Sequence, residues 1–254
     1  MIKDAYEKLF SSNEVSVREK LLKLLDATHI LAKPPHFPAQ VYSHIPGETT
    51  ELGDVGTHFG YVLKDGSTNV AKAPNGREYP LYPNTMFSFP DAIKIAGKAR
   101  MRIFTALGQK GLMNITGDIG DWGRQNYIDG CTSTLHISPV MKGDACMNSL
   151  YFPEAVEQTQ HTHPSIRAGI VSSGEGICKT PVGDIPLQEG NSFFLPPETW
   201  HSFHTVKGKT LGVVAFHPDS DFGPTHEDHP MLNRTHFAFL HKLKSALRVR
   251  QAGK

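Results

Sequence analysis

The chain has 254 residues, and its 26 Lys and Arg residues nearly balance its 25 Asp and Glu residues. A balanced charge without blocks of one sign gives no indication of a nucleic-acid or membrane-surface partner. Three scattered cysteines are too few for a disulfide framework or a thiolate zinc site. The polar N-terminal stretch and the lack of a long apolar run predict a cytoplasmic protein without a signal peptide or a transmembrane helix.

Two short amphipathic helices are predicted within the first 32 residues. Apolar residues recur at helical spacing from Ile2 to Phe10, and Ser16 forms a capping box with Glu19 at the start of the second helix. Prolines between positions 34 and 38 prevent this helix from continuing. Because isolated helices this short are marginal in water, we expect them to pack on the rest of the chain or on a second copy, and we favour a homodimer.

The region that follows, up to about residue 130, is rich in Gly, Pro and Asn. The pieces "HFGYVL" and "RMRIFTAL" are typical of strands, whereas "DGSTN" and "GDIGDWG" are typical of turns. Two interpretations are open, because the region is either an irregular extension with some β-structure or a degenerate repeat of the region after it. We assign residues 1–130 to one unit that contains the two helices and this extension.

Residues 131–217 contain seven short apolar segments, from "STLHISPV" to "LGVVAF", separated by turn residues. This rhythm predicts an all-β sandwich or barrel, including the double-sheet jelly roll. A polar loop follows, and apolar residues between Phe239 and Leu247 predict a last amphipathic helix. We therefore predict a mainly β fold, with a barrel at 131–220 and a loop and helix at 221–254 that pack on it.

Two histidine-containing stretches indicate a metal site. In "QHTHPSIRAGIVSSGEG", His161 and His163 alternate as on a strand, so both imidazoles leave the same face. In "GNSFFLPPETWH", Gly190 turns into a strand, Pro196 ends that strand, and His201 follows. An H-x-H pair alone is weak evidence, and the second stretch strengthens it.

Together the two stretches resemble the paired motifs of the cupin superfamily. The first family motif is a glycine, five residues, H-x-H, three or four residues, a glutamate, six residues and a glycine. Here His161 and His163 match, and Gly174 closes the motif at the right spacing. Ala155 stands in place of the opening glycine, and Arg167 stands in place of the glutamate.

The second family motif is a glycine, five residues, proline, one residue, glycine, two residues, histidine, three residues and asparagine. Gly190, Pro196 and His201 match it, whereas Glu198 and Thr205 depart from its second glycine and its asparagine. The resemblance covers about residues 155 to 205, and its spacing is moderately specific.

The resemblance implies a small jelly-roll barrel in which His161, His163 and His201 converge on one divalent metal ion. Neutral imidazoles suit Fe, Mn, Ni, Cu and Zn, and three of them leave coordination positions for substrate, water or O₂. We expect Fe(II), with Mn, Ni or Zn as alternatives. No nucleotide-binding fingerprint signals a second cofactor.

Among the departures from the two cupin motifs, Arg167 in place of the glutamate has a chemical consequence. At about 5 Å and an effective dielectric constant of about 20, a divalent ion and a guanidinium repel each other by about 7 kcal/mol. Either Arg167 turns away and pairs with a carboxylate such as Glu157 or Glu198, or the cavity receives an anion. A guanidinium binds a carboxylate or a phosphate through two parallel hydrogen bonds. Three-histidine iron sites of thiol dioxygenases hold a substrate carboxylate with an arginine, and this layout resembles them.

The sequence thus predicts a mononuclear non-haem iron(II) dioxygenase whose partners are a small anionic organic substrate and O₂. We expect Arg167, Glu157 and His204 to be the catalytic residues. A redox-neutral metal-dependent lyase, isomerase or hydrolase is an open alternative, and it needs a general base within reach of the substrate. A small-molecule-binding cupin without catalytic activity is the other alternative, because the fold alone does not determine the chemistry.

Overall fold

The structure, a computed structural model, describes residues 29–32 and 38–220 and consists largely of antiparallel strands. The C-terminal helix and most of the N-terminal helices of the sequence analysis lie outside these residues. The second helix was predicted to extend to about residue 32, and this predicted C-terminal boundary is wrong. Residues 29–32 form a strand, because their backbone pairs with the strand that contains Val41. Within the described ranges, no helix is long and apolar enough to cross a lipid bilayer.

The first half of the described chain contains ten strands. They are β1 (His29–Ala32), β2 (Ala39–His44), β3 (Thr49–Leu52), β4 (Gly56–Val62), β5 (Asn69–Lys72), β6 (Glu78–Leu81), β7 (Met86–Phe89), β8 (Ile93–Gly97), β9 (Met101–Leu107) and β10 (Asn114–Thr116). One sheet has the order β1-β2-β9-β4-β7-β10, and a smaller sheet has the order β3-β8-β5-β6.

The second half contains eight strands and a short 3₁₀ turn at Ile128–Gly130. The strands are β11 (Gln125–Asn126), β12 (Thr132–Ile137), β13 (Cys146–Phe152), β14 (Arg167–Thr180), β15 (Gly183–Gln188), β16 (Ser192–Leu195), β17 (Ser202–His204) and β18 (Leu211–His217). Each of the seven predicted segments between 131 and 217 contains strand residues, and two of the segments belong to the single strand β14. The mainly β, jelly-roll prediction is therefore confirmed.

Strand β14 joins the two faces of the second barrel. Its first part, Arg167–Ile170, pairs with β16 on one side and with β18 on the other. Its second part, from Glu175 to Thr180, pairs with β15, and the three residues from Ile177 pair with β17. The β14–β18 register shifts between these parts, and such an irregularity bends a strand. One continuous strand thus replaces the two segments that the sequence suggested.

The same pairing pattern occurs in both halves. The order β2-β9-β4-β7 in the first half corresponds to β13-β18-β14-β16 in the second. In each half a glycine of the central strand lies opposite a phenylalanine, Gly60 opposite Phe87 and Gly169 opposite Phe193. Residues 39–116 are therefore a degenerate repeat of the second barrel, which was one of the two open interpretations. The domain boundaries at 130 and 220 stay predictions.

A shared hydrophobic core joins the two barrels. The Phe216 ring stacks on Phe104 with centroids 5.2 Å apart and contacts Phe59 at 5.4 Å. All three side chains are buried, and each burial contributes about 1.5–3 kcal/mol. Strands β4 and β18 are buried along their whole length, because one face lines its own barrel and the other lies in this core.

The two central glycines generate a stability prediction. A Cβ atom at Gly60 would lie 2.2 Å from the Phe87 ring, and one at Gly169 would lie 2.2 Å from the Val214 carbonyl oxygen. We expect Gly60→Ala and Gly169→Ala each to lower the free energy of unfolding by about 1–3 kcal/mol, because overpacking forces the neighbours to shift. Chemical denaturation measures the change.

Gly53→Ala is the matched control. Its added Cβ would have Val55 Cγ1 as nearest neighbour, at 3.9 Å, which is ordinary contact. We expect a change within about 0.5 kcal/mol at this position. An equal loss in all three variants would show that the close contacts in the barrels are not the cause.

Candidate metal centre

Backbone hydrogen bonds bring the two histidine-containing stretches together. His161 and His201 face each other as an antiparallel bridge, and each N–H donates to the carbonyl oxygen of the other at 3.0 Å. The N–H of Glu198 donates to the carbonyl oxygen of His163 at 2.7 Å. The loop before β14 and the loop before β17 are therefore fixed against each other at the point where the three imidazoles project.

The three predicted ligands form one buried cluster. Their ring centroids lie 4.4 to 5.1 Å apart, and their candidate ligand nitrogens all lie within 4.8 Å of one another. His161, His163 and His201 are each at most 5% exposed. Among residues 29–32 and 38–220, this is the group of His, Cys, Asp and Glu side chains whose positions could hold a metal ion.

Two of the rings have a defined tautomer. The Nδ1 atom of His161 lies 3.1 Å from the Thr159 carbonyl oxygen, and Nδ1 of His201 lies 2.9 Å from the Thr199 carbonyl oxygen. A carbonyl only accepts, so each Nδ1 carries the proton and donates it. Each Nε2 then has its lone pair available, as metal-bound histidines of this arrangement require.

The cavity also keeps the imidazoles uncharged. Burial lowers the pKa of His161 to about 4. Burial also lowers the pKa of His163 and of His201 well below the usual range, and the positive charge of Arg167 shifts all three in the same direction. Near neutral pH all three rings are neutral, which is the form that binds a metal. The donor set therefore fits one divalent ion of the kind that prefers imidazole nitrogen.

The backbone keeps the left-handed conformation at the four positions where the cupin motifs have glycine. Gly174 and Gly190 have φ of 69° and 82°, and Ala155 and Glu198 have φ of 57° each. At Gly174 a Cβ atom would lie 2.0 Å from the Thr210 carbonyl oxygen, so glycine is needed there. At positions 155 and 198 a residue with a side chain has the left-handed conformation, which only glycine adopts without cost.

Ala155→Gly should therefore stabilise the protein. Ala155 is exposed, and glycine at this position removes the strain of the left-handed backbone. Because this gain exceeds the cost of the larger conformational entropy of the unfolded chain, we expect the free energy of unfolding to rise by about 1 kcal/mol. Ala96→Gly is the matched control, since Ala96 is exposed in β8 with ordinary strand geometry. The control should lose about 0.5–1 kcal/mol. Changes of the same sign in denaturant titrations of the two variants would contradict the argument.

The cavity around the histidines has an apolar wall and a few polar groups. Leu150, Phe152, Phe193 and Phe203 belong to the wall. The polar side chains beside the three histidines include those of Asn148, Gln158, Arg167 and His217. The free volume at the centre is about 20 Å³, and a single water-sized group needs about 10–15 Å³. The space next to the histidines therefore suits a small ligand.

Arg167 lines this cavity and is 3% exposed. Its ion pair is not with Glu157 or Glu198, the partners considered from the sequence. Arg167 Nη1 lies 3.5 Å from Asp219 Oδ1 and donates to Ser165 Oγ at 2.6 Å. The Ser165 hydroxyl in turn donates to Asp219 Oδ2 at 2.6 Å. A buried carboxylate thus compensates the guanidinium charge inside the barrel.

Comparisons with known proteins agree with this geometry. Residues 151–235 match the family model described as the AraC-like ligand binding domain. No curated protein matches the sequence. The structure is similar to that of a cupin 2 conserved barrel domain protein from Leptotrichia buccalis, with a TM-score of 0.54 and 12% identity over 75% of this chain and 87% of the other. The chain has the cupin fold.

Two further solved structures share this cupin fold. One is a putative glyoxylate induced protein from Pseudomonas aeruginosa, with a TM-score of 0.55 and 12% identity over 75% of this chain and 78% of the other. The other is a salicylate 1,2-dioxygenase from Pseudaminobacter salicylatoxidans, with a TM-score of 0.52 and 13% identity over 85% of this chain and 83% of the other.

At two positions the first cupin repeat has apolar residues where the second has metal-ligand candidates. Leu52 pairs with Ile93 in the β3–β8 ladder, as His161 pairs with His201. Leu52 precedes the central glycine of its barrel by eight residues, and so does His161. Both Leu52 and Ile93 are buried. At these two positions the first repeat therefore has packed apolar side chains instead of imidazoles.

Two residues predicted to be catalytic lie away from the cavity. Glu157 is exposed, and neither it nor His204 is among the cavity-lining residues. The His204 ring bonds to Ser202 Oγ at 2.8 Å, on the face of β17 opposite to Phe203, which lines the cavity. The structure brings Arg167 to the three histidines and leaves Glu157 and His204 outside.

Three polar cavity residues, Asn148, Gln158 and His217, were missed from the sequence. His217 occupies no motif position, and it is the last residue of β18 and 5% exposed. Its Nε2 donates to Asn148 Oδ1 at 2.8 Å. Strand alternation with Ala215, which also lines the cavity, is the signal that could have identified His217. Gln158 lies in an irregular segment and has no periodic signal.

Proposed function

We propose that this cupin is a mononuclear iron(II) dioxygenase that acts on a small anionic organic substrate. The observation that carries the proposal is the convergence of three buried, neutral imidazoles in one cavity that also contains a buried arginine. His161, His163 and His201 would hold the ion. When bound, iron(II) supplies the redox chemistry with O₂ that imidazole, amide and guanidinium side chains lack.

The protein residues would bind and orient the substrate. Arg167 faces the cavity from the start of β14, where a carboxylate can receive two parallel hydrogen bonds from a guanidinium. Its charge is compensated by Asp219, so the site with a divalent ion would keep an excess of about two positive charges. An anionic substrate reduces that excess. The apolar wall that includes Phe193 and Phe203 would exclude water around it.

The similarity to a salicylate 1,2-dioxygenase supports the oxygenase assignment by analogy of fold. The name of that protein describes a dioxygenase that acts on an aromatic carboxylate. Fold similarity at 13% identity does not transfer a substrate. The proposal for this cupin therefore rests on its own histidines and arginine, and the analogy selects oxygen chemistry among the reactions open to such a site.

A second candidate function is reversible ligand binding without turnover. It is favoured by the match of residues 151–235 to the AraC-like ligand binding domain. A redox-neutral reaction has less support, because Glu157 and His204, two of its candidate bases, lie outside the cavity lining. The three alternatives differ in metal content, in O₂ consumption and in product formation.

Metal analysis and O₂ uptake on anaerobically purified protein discriminate these functions. Bound iron, together with O₂ consumption that depends on a small aromatic or aliphatic carboxylate, supports the dioxygenase. Tightly held zinc or nickel, together with turnover that is unchanged under nitrogen, would contradict the dioxygenase assignment and support a redox-neutral enzyme. Saturable binding of carboxylates without any product would identify a ligand-binding cupin.

Loss of any one imidazole should remove most of the metal. We expect His161→Ala, His163→Ala and His201→Ala each to lose most of the bound ion and the activity, because each side chain supplies one of the three proposed ligands. Elemental analysis measures the ion, and circular dichroism checks that the barrel stays folded. His204→Ala is the matched control from the same region and should keep full occupancy. Full occupancy in all four variants would refute the ligand assignment.

Replacement of Arg167 by lysine separates charge from hydrogen-bond geometry. Arg167→Lys keeps the positive charge beside Asp219 but removes the planar fork, so metal content should hold while substrate binding weakens. A charge-assisted bidentate contact contributes about 1.5–3 kcal/mol, which corresponds to about a tenfold to hundredfold loss in kcat/KM.

Arg100→Lys is the control for this substitution, since Arg100 is exposed in a surface ion pair with Asp65. It should leave kcat/KM unchanged. Normal kinetics of both lysine variants towards every carboxylate substrate would show that Arg167 has a structural role only.

A further inference from the structure

Gln158 is a buried cavity residue that the proposed function does not yet use. It lies between β13 and His161, and its side chain lines the cavity with the three histidines. Only 3% of its surface is exposed. No motif position of the two histidine-containing stretches includes it, so its presence at the site follows from the fold alone.

The orientation of the Gln158 amide is fixed by the backbone of β17. The Phe203 N–H donates to Gln158 Oε1 at 3.0 Å, and the Gln158 N–H donates to the Phe203 carbonyl oxygen at 3.4 Å. An N–H group can only donate, so the side-chain atom that faces Phe203 is the amide oxygen. The amide nitrogen is therefore on the side of the amide group that faces away from the Phe203 N–H.

Within residues 29–32 and 38–220, Gln158 Nε2 is a buried donor without a hydrogen-bond partner. Buried polar groups are nearly always hydrogen-bonded, because leaving one unsatisfied costs more than the bond contributes. An amide nitrogen has no lone pair to offer a metal ion, so it is not a fourth ligand. Because the Gln158 side chain lines the cavity, an acceptor atom bound in the cavity would satisfy this donor.

We propose that Gln158 Nε2 donates a hydrogen bond to a substrate oxygen, and that Gln158 and Arg167 together select a carboxylate with an oxo or hydroxyl group on the adjacent carbon. The inference rests on the proposed function. The guanidinium has the charge that a carboxylate requires, and the neutral amide suits a neutral oxygen. Both side chains line the same cavity, so one small substrate with two neighbouring oxygen groups, as in a 2-oxo or 2-hydroxy acid, can contact both.

The test compares pyruvate with acetate on the Co(II)-loaded protein. Pyruvate has the adjacent oxygen and acetate lacks it, and the visible absorption of Co(II) reports binding of each without turnover. We expect the wild-type protein to bind pyruvate at least about tenfold more tightly than acetate. Gln158→Leu should reduce this preference by about tenfold, leaving the Kd of acetate within about twofold and the Co(II) content unchanged.

Two further variants separate the donor from its surroundings. Gln158→Glu keeps an oxygen for the Phe203 N–H and replaces the donor with an acceptor, so it should lose the preference for pyruvate without loss of the fold. Gln160→Leu is the matched control, because Gln160 is exposed two residues further along the same segment. It should bind both ligands as the wild-type protein does.

The possible results lead to separate conclusions. A wild-type protein that binds Co(II) but shows no preference for pyruvate overturns the inference and leaves the metal site intact. An unchanged preference in both Gln158 variants, as expected if Nε2 bonds only to water, also overturns it. A wild-type protein that binds no Co(II) overturns both the proposed function and the inference.

Discussion

A buried guanidinium beside three buried imidazoles is the electrostatic constraint on which the second barrel depends. Burial disfavours a charge on every ring, and the positive Arg167 disfavours it further, so the histidines stay in their metal-binding form. The same burial would make an isolated guanidinium costly. Ser165 and Asp219 compensate its charge within the barrel.

The backbone holds this arrangement through β14 and two loops. Strand β14 begins with Arg167 inside the site and bends into the second sheet, where it pairs with the strand that follows His201. Reciprocal bonds between His161 and His201 hold the loops in register. Ala155 and Glu198 keep left-handed backbone although neither is glycine, because the surrounding pairing determines the conformation at these turns.

The sequence predicted the parts of this structure that depend on local pattern. Alternation and turn spacing located the strands of the second barrel, and motif spacing located the three histidines. The partner of Arg167 was missed because Asp219 lies 52 residues away and approaches only through the β14–β18 pairing. The repeat in the first half was left unresolved, because Leu52 and Ile93 occupy the positions at which histidines would have marked it. Gln158 was missed because its segment has no regular period.

The aromatic contact between Phe216 and the side chains of Phe59 and Phe104 has a consequence for the modularity of the chain. Each barrel closes its own sheets, yet the outer face of its central strands is as apolar as an interior. A fragment that begins near residue 125 would present Met147, Ile170 and Phe216 to water as one contiguous patch, which favours aggregation. Although the candidate metal ligands lie in the second repeat, the first repeat supplies the other half of this common interior.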